Sequence, residues 1–197
     1  MQVDVLALLA TNLVFSVKIA PLVVIVATMI RGALLLTGRR RAILSWTRNT
    51  LLSLATIVFL PGSIINTGVR FGVCSLFGID LEGIGGGSTY AELNLFLKVD
   101  RPPKVAVLVS ALYVSTVASV FIGFTLLFLP VVLLLGAPIV FLSWYLALCV
   151  LFNSSLRGGD VQLLGAALQK HPGRGIAELF IALAVLIVFY SFVGVGL

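Results

Sequence analysis

The fold is decided by residues 105–156, which read VAVLVSALYVSTVASVFIGFTLLFLPVVLLLGAPIVFLSWYLALCVLFNSSL. This stretch contains no Asp, Glu, Lys or Arg. One helical crossing of a bilayer needs about 20 such residues to span ~30 Å of hydrocarbon. The stretch is therefore long enough for two crossings, joined near the prolines Pro130 and Pro138.

The composition of the whole chain agrees with a membrane protein. Hydrophobic residues make up 60% of the 197 residues and charged residues only 10%, whereas soluble domains are about a quarter charged. The net charge is +6, but the basic residues stand at the ends of apolar stretches, where lipid headgroups attract them. We therefore expect these basic residues to contact the lipid bilayer and not nucleic acid.

Apolar stretches along the chain predict an all-α polytopic integral membrane protein with about five transmembrane helices. A single transmembrane domain, 1–197, is expected to contain spans at 12–36, 49–70, 105–127, 131–152 and 176–195. Two polar inserts, 79–104 and 153–174, separate them. The first insert is rich in glycine, and weak alternation within 90–97 predicts a short β strand.

Two features of this arrangement have alternative interpretations. The first apolar stretch is longer than a bilayer is thick, so either Pro21 breaks it or one end projects from the membrane. Pro61 and Gly62 predict a kink in the second span. A re-entrant hairpin over 49–78 would gather the basic loops on the cytoplasmic side, whereas five simple crossings leave the positive-inside rule violated or nearly neutral.

The segment around that kink, residues 60–81, reads LPGSIINTGVRFGVCSLFGIDL. It resembles the integral-membrane zinc metalloproteases of the site-2 type and their archaeal relatives, in which Pro-Gly precedes an H-E-x-x-H helix that ends at a glycine. In this alignment Pro61 and Gly62 match the Pro-Gly, and Gly78 matches the final glycine.

The resemblance places the metal motif on residues 66–70, where this chain has Asn66, Thr67 and Arg70 instead of the catalytic residues. Zinc requires imidazole, thiolate or carboxylate ligands, and hydrolysis by the metal-bound water uses a glutamate base. The chain is therefore expected to lack a metal, a cofactor and catalysis. The resemblance also makes Asp160 a remnant of the third ligand; its other interpretation is an N-cap. His171 is the only histidine, which excludes a two-histidine site within one chain.

Small residues four apart predict close helix packing in lipid. They occur at Gly68 and Gly72 and again at Ser115 and Ser119, and the partner helix is expected either within this chain or on another protein. Lys18 and Arg31, inside the first span, are expected to extend toward the headgroups.

These observations favour a non-catalytic subunit of a larger membrane complex, a pseudo-enzyme relative of intramembrane metalloproteases in an archaeal plasma membrane. A small transporter or channel with proline-broken helices is the alternative. A third hypothesis is a lipid-modifying enzyme, in which carboxylates at the interface act as bases or metal ligands. The acidic residues concerned are Asp80, Glu82, Glu92, Asp100 and Asp160.

Overall fold

A computed structural model describes residues 5–37, 40–43, 46–89, 92–99, 103–155, 158–170 and 172–195. Within these ranges the chain is predominantly helical, and two antiparallel β hairpins connect the helices. The elements in chain order are α1 (Val5–Thr37), β1 (Arg40–Ile43), β2 (Trp46–Asn49), α2 (Thr50–Val58), α3 (Leu60–Leu76), β3 (Leu81–Thr89), β4 (Glu92–Val99), α4 (Val105–Val132), α5 (Ala137–Asn153), α6 (Gly158–Lys170) and α7 (Pro172–Val195).

The predicted helical membrane class is confirmed at the level of its long helices. Three of the described helices are long and apolar enough to cross a bilayer, over Val5–Leu34, Val105–Val132 and Pro172–Phe192. A fourth apolar helix, Ala137–Asn153, is shorter. The helix α1 continues through Pro21 as one helix of 33 residues, which is about 50 Å long at 1.5 Å per residue. Of the two alternatives for the first apolar stretch, a break at Pro21 is therefore not the one found.

In chain order, the long helices α1, α4, α5 and α7 run in alternating directions across the bundle. Asn12 Nδ2 on α1 donates to Thr125 Oγ1 at 2.8 Å, and Val17 packs with Val117 and Val120, so α1 runs antiparallel to α4. On α5, Trp144 Nε1 donates to Leu127 O at 3.1 Å. We name the end where α4 begins, next to β3 and β4, the hairpin end, and the end where α4 meets α5 the turn end.

The helices α2 and α3 both reach the hairpin end. The α2 helix follows the β1–β2 hairpin and contacts both β2 and β4, while α3 contacts β4 and leads into β3. Only Phe59 separates the two helices. Both ends of the α2–α3 pair therefore lie at the hairpin end, and the break at Phe59 lies furthest from it. This is the geometry of the re-entrant hairpin that the sequence analysis gives as an alternative.

A glycine ends α3 as the sequence indicates. Gly78 has φ +67°, its N–H donates to Ser75 O, and Ile79 N–H donates to Cys74 O, both at 3.0 Å. This is a Schellman ending, which requires the left-handed backbone that glycine adopts without a Cβ clash. Cys74 and Ile79 then pack in one buried cluster.

The turn between α4 and α5 lies between Pro130 and Pro138. The helices extend differently from the predicted span bounds 127 and 131, because α4 continues through Pro130 to Val132 and α5 begins at Ala137. A proline within a membrane helix is tolerated where neighbouring groups compensate for the lost hydrogen bond. The helix ends at Val132, and Leu134, two residues further on, has a φ of 51°.

Two further helices complete the bundle at the hairpin end. Leu164 and Leu168 of α6 pack with a buried cluster of Val105, Leu108 and Ala167. From there α7 runs toward the turn end along α1 and α4.

Candidate functional site

The break between α2 and α3 is covered by side chains of α5. Tyr145 Oη donates to Val58 O at 2.6 Å, and Asn153 Nδ2 donates to Phe59 O at 2.8 Å. Pro61 has no N–H to donate into the preceding turn, and hydrocarbon offers no water in its place. The structure therefore places protein donors at the break, as a membrane interior requires.

Gly62 allows a close backbone contact between α3 and α5. A Cβ at this position would overlap the backbone carbonyl of Cys149 and crowd Val150 N. Only glycine allows the backbones to approach this closely. From the sequence, Gly62 was predicted only to contribute to the kink. Its packing role was missed because the helix that approaches it is almost ninety residues further along the chain.

Asn66 joins three helices one turn further along α3. It is 1% exposed; its Nδ2 donates to Asn153 O on α5, and its Oδ1 accepts from Ser119 Oγ on α4 at 2.8 Å. A buried amide whose donor and acceptor are both paired fixes the register of the helices that meet there.

Arg31 of α1 contacts the same cluster. Its Nη2 donates to Asn153 Oδ1 at 3.0 Å, and its guanidinium lies over the Phe152 ring, 5.2 Å from the centroid. The side chain is buried, so the prediction that Arg31 extends to the headgroups is wrong. Its guanidinium is held instead by a buried amide oxygen and an aromatic face, both of which suit this group.

Arg70 and Asp160, which are ninety residues apart in sequence, form an ion pair at the hairpin end. Arg70 Nη1 lies 2.7 Å from both carboxylate oxygens of Asp160, and Arg70 Nη2 donates to Ser155 O at 3.3 Å. The side chains are 8% and 15% exposed. Charge-assisted hydrogen bonds of this kind are the strong ones in a low-dielectric setting.

The position of Asp160 corrects one of its two interpretations. The α6 helix begins at Gly158, so Asp160 lies within the first turn instead of at the N-cap. An acidic residue there still favours the helix through the macrodipole, but its carboxylate faces Arg70.

The four residues that the resemblance aligns with a metal motif thus have identified contacts. Asn66 and Arg70 lie on the same buried face of α3, four residues apart, and Asp160 reaches that face. Thr67 Oγ1 donates to Ser63 O at 2.8 Å. In the part of the chain that the structure describes, no group of three or more His, Cys, Asp or Glu side chains is placed to hold a metal ion.

The two predicted helix-packing pairs have opposite environments. Ser115 and Ser119 are buried, at 1% and 0% exposure, within this chain. Gly68 and Gly72 lie on the exposed side of α3, and a Cβ at either would meet nothing within 4 Å. Packing of this glycine pair against a helix of the same chain is therefore absent from the described residues.

The described carboxylates of the lipid-enzyme hypothesis, those of Asp80, Glu82 and Asp160, are not gathered into one site. Asp160 is bound to Arg70, and Asp80 and Glu82 are exposed near the start of the β3–β4 hairpin. Asp100, the side chain of Glu92, and His171 fall outside the described part of the chain. This hypothesis stays a prediction.

Comparison with protein-family models, with curated proteins and with solved structures finds no match to this chain.

Proposed function

We propose that this chain is a non-catalytic multi-pass membrane protein, a structural or binding subunit of a larger membrane complex and a degenerate relative of intramembrane metalloproteases. The Arg70–Asp160 ion pair is the observation that carries the proposal. In the resemblance, Asn66, Arg70 and Asp160 correspond to the three metal ligands.

A guanidinium at the second ligand position changes the chemistry of such a site. Arg70 holds a permanent positive charge against the carboxylate of Asp160, so the charge that a dication would provide is supplied by the chain itself. Asn66 is committed to hydrogen bonds with Asn153 and Ser119. This pairing supports a structural role for residues that would be catalytic in the metalloproteases.

The experiment is to restore the motif with Asn66→His, Thr67→Glu and Arg70→His in one chain. If the three positions retain the geometry of a metal site, the purified variant will bind zinc stoichiometrically, and adding Asp160→Ala will reduce that binding. The wild-type chain is expected to remain free of zinc. Zinc content is measured by mass spectrometry of the detergent-purified protein.

The matched control puts two histidines on the outer face of the same helix, as Ile64→His with Gly68→His. These have the same spacing but no carboxylate opposite them. Equal zinc binding by this control would contradict the assigned geometry. Stoichiometric zinc in the wild-type chain, together with peptide cleavage that depends on it, would overturn the non-catalytic role.

The subunit part of the proposal is supported by the outer face of α3. Gly68 and Gly72 have the spacing that is typical of close helix contacts in membranes, yet no helix in the described chain lies against them. We expect gentle detergent extraction to recover the chain with a fixed set of proteins at constant ratio. Leucine at both glycines should release at least one of them, and migration of the wild-type chain alone would contradict the proposal.

The finer topology follows from the same geometry. We propose that α1, α4, α5 and α7 cross an archaeal plasma membrane and that α2 and α3 form a re-entrant hairpin, which replaces the fifth span. All of the 13 Lys and Arg residues except Lys18 lie in the segments that join helices at the hairpin end, or in the adjacent half of a helix. The positive-inside rule then places the hairpin end in the cytoplasm.

Labelling of single cysteines tests this orientation in sealed right-side-out vesicles, with Cys74 and Cys149 replaced by alanine. An impermeant maleimide should label Leu134→Cys at the turn end in intact vesicles. It should label Glu82→Cys only after the vesicles are opened. The reverse pattern would contradict the orientation.

A small transporter or channel is the second candidate, favoured by the broken helix and the buried polar groups at its tip. It ranks second because Asn66 pairs with Asn153 and Ser119, so the cluster is occupied by contacts within the chain. Solute flux into proteoliposomes that is lost in Asn66→Leu would favour transport over the subunit role.

A further inference from the structure

Lys18 lies at the middle of the bundle, between its two ends. Val17 and Ala20 pack with Val117 and Val120, at the centre of the 28-residue helix α4. Either end of α4 is then about 21 Å away, at 1.5 Å per residue. The flexible four-carbon stem of a lysine is far shorter than the ~15 Å half-thickness of the hydrocarbon layer, so in a bilayer centred on α4 the side chain of Lys18 would not reach the headgroups.

No acidic side chain in the described part of the chain forms an ion pair with Lys18. The ion pairs there join Arg70 to Asp160 and Arg174 to Glu178. The contact found at Lys18 is with its backbone, where its carbonyl accepts a hydrogen bond from Tyr190 Oη of α7 at 3.0 Å. An ionisable side chain at this depth is costly and marks a functional or partner-binding position.

Lys18 lies beside α7, on the face of α1 that also carries Leu22 and Ile25. Lys18 is half-buried, while Leu22 and Ile25, one and two turns further along this face, are 54% and 56% exposed. A neighbour outside the chain can therefore approach the lysine from the lipid.

We propose that this face of α1 binds a transmembrane helix of another protein that carries an aspartate or glutamate at its middle. The inference rests on the proposed subunit role and names the chemistry of the partner. A carboxylate at the same depth would form an ion pair with Lys18 and remove the cost of an uncompensated charge in hydrocarbon. Exposed apolar residues on the same face complete the helix contact.

A second copy of this chain does not meet the requirement. Its acidic residues lie before α1, within the segments that join helices at the hairpin end, in the first turn of α6, or in the second turn of α7. None stands near the middle of α1, α4, α5 or α7. The carboxylate must therefore come from a different protein.

The test uses a synthetic transmembrane helix of leucine with one central aspartate, and a matched helix of leucine alone. Association with the full-length wild-type chain is measured by energy transfer in lipid bilayers. We expect the aspartate helix to bind, with affinity lost by about tenfold or more in Lys18→Met and retained in Lys18→Arg. The leucine helix should bind neither variant.

Moving the charge provides a matched control. In the double variant Lys18→Met with Ile25→Lys, the lysine stands two turns further along the same face. The helix with a central aspartate should bind this variant weakly, and a helix whose aspartate is displaced by two turns should bind it well. Equal binding of the leucine and aspartate helices, or undiminished binding to Lys18→Met, would overturn the proposal.

Two further outcomes separate this inference from its alternatives. If oleate binds the wild-type chain but not Lys18→Met, and no helix binds, the lysine serves a lipid carboxylate and the proposal is wrong. If Lys18→Met keeps every protein that co-migrates with the wild-type chain from the native membrane, the inference fails while the subunit role stands. If the wild-type chain co-migrates with nothing, the subunit role itself fails.

Discussion

The helix α3 carries two rows of residues with the same spacing and opposite environments. The inner row, Gly62, Asn66 and Arg70, is buried against α4, α5 and α6. The outer row, Ile64, Gly68 and Gly72, is exposed. Residues four apart make up both rows, but in the described part of the chain only the inner row is packed against other helices.

This difference shows what residue spacing can and cannot indicate. Residues four apart lie on one face of a helix, so spacing identifies a row but not the element that packs against it. A Cβ at Gly62 would overlap a helix almost ninety residues away, whereas in the described part of the chain a Cβ at Gly68 would meet nothing within 4 Å. Substitutions in the two rows therefore test the comparison directly.

The largest effect is expected for Arg70→Met, which leaves the carboxylate of Asp160 largely buried without its cation. Removing one partner of a buried ion pair costs about 3 kcal/mol or more. The free energy of unfolding is measured by titration with sodium dodecyl sulfate in mixed micelles. Combining Arg70→Met with Asp160→Asn should recover much of the loss, and a double variant that costs the sum of the two single variants would show that the residues are not coupled.

The next effect is expected for Gly62→Ala, because the new methyl group would overlap the Cys149 carbonyl. Overpacking of this kind costs about 1–3 kcal/mol, measured by the same titration. Gly72→Ala is the control on the outer row. Equal stability of the two alanine variants would contradict the close approach of α3 and α5.

Asn66→Ala should destabilise the protein by about 1–2 kcal/mol, since Ser119 and the Asn153 carbonyl lose their partner. A double-mutant cycle with Ser119→Ala isolates the hydrogen bond between α3 and α4. We expect a coupling energy of about 0.6–1.7 kcal/mol, as for other polar pairs between membrane helices. Zero coupling would mean that the two side chains do not interact.

The smallest effect is expected for Gly68→Ala. In the isolated chain this substitution should be neutral or stabilising by up to about 1 kcal/mol, because alanine has the higher helix propensity and the space is open. In the native membrane the same variant should weaken association with the proposed partner. If Gly68→Ala destabilised the isolated chain, the outer row would have to contact another part of the same chain.

The sequence alone predicted the helical membrane class and the glycine at which α3 ends. It also located the break at Pro61, because proline removes a hydrogen bond wherever it stands. It did not locate the end of α4, since Pro130 is accommodated within that helix. The environment of Arg31 was also missed, because its amide partner Asn153 is more than a hundred residues away.

What the sequence determined by itself is the medium of the protein, the break at Pro61 and the glycine that ends α3, because hydropathy and the backbone chemistry of proline and glycine act locally. Only the tertiary structure decided the partners: that Arg70 pairs with Asp160, that Gly62 and not Gly68 meets a helix, and that Lys18 has no described carboxylate beside it. Those outcomes depend on which helices are adjacent and at what depth. In a chain with long uniform apolar stretches, many helix arrangements satisfy the local pattern equally well, and the few buried polar contacts distinguish among them.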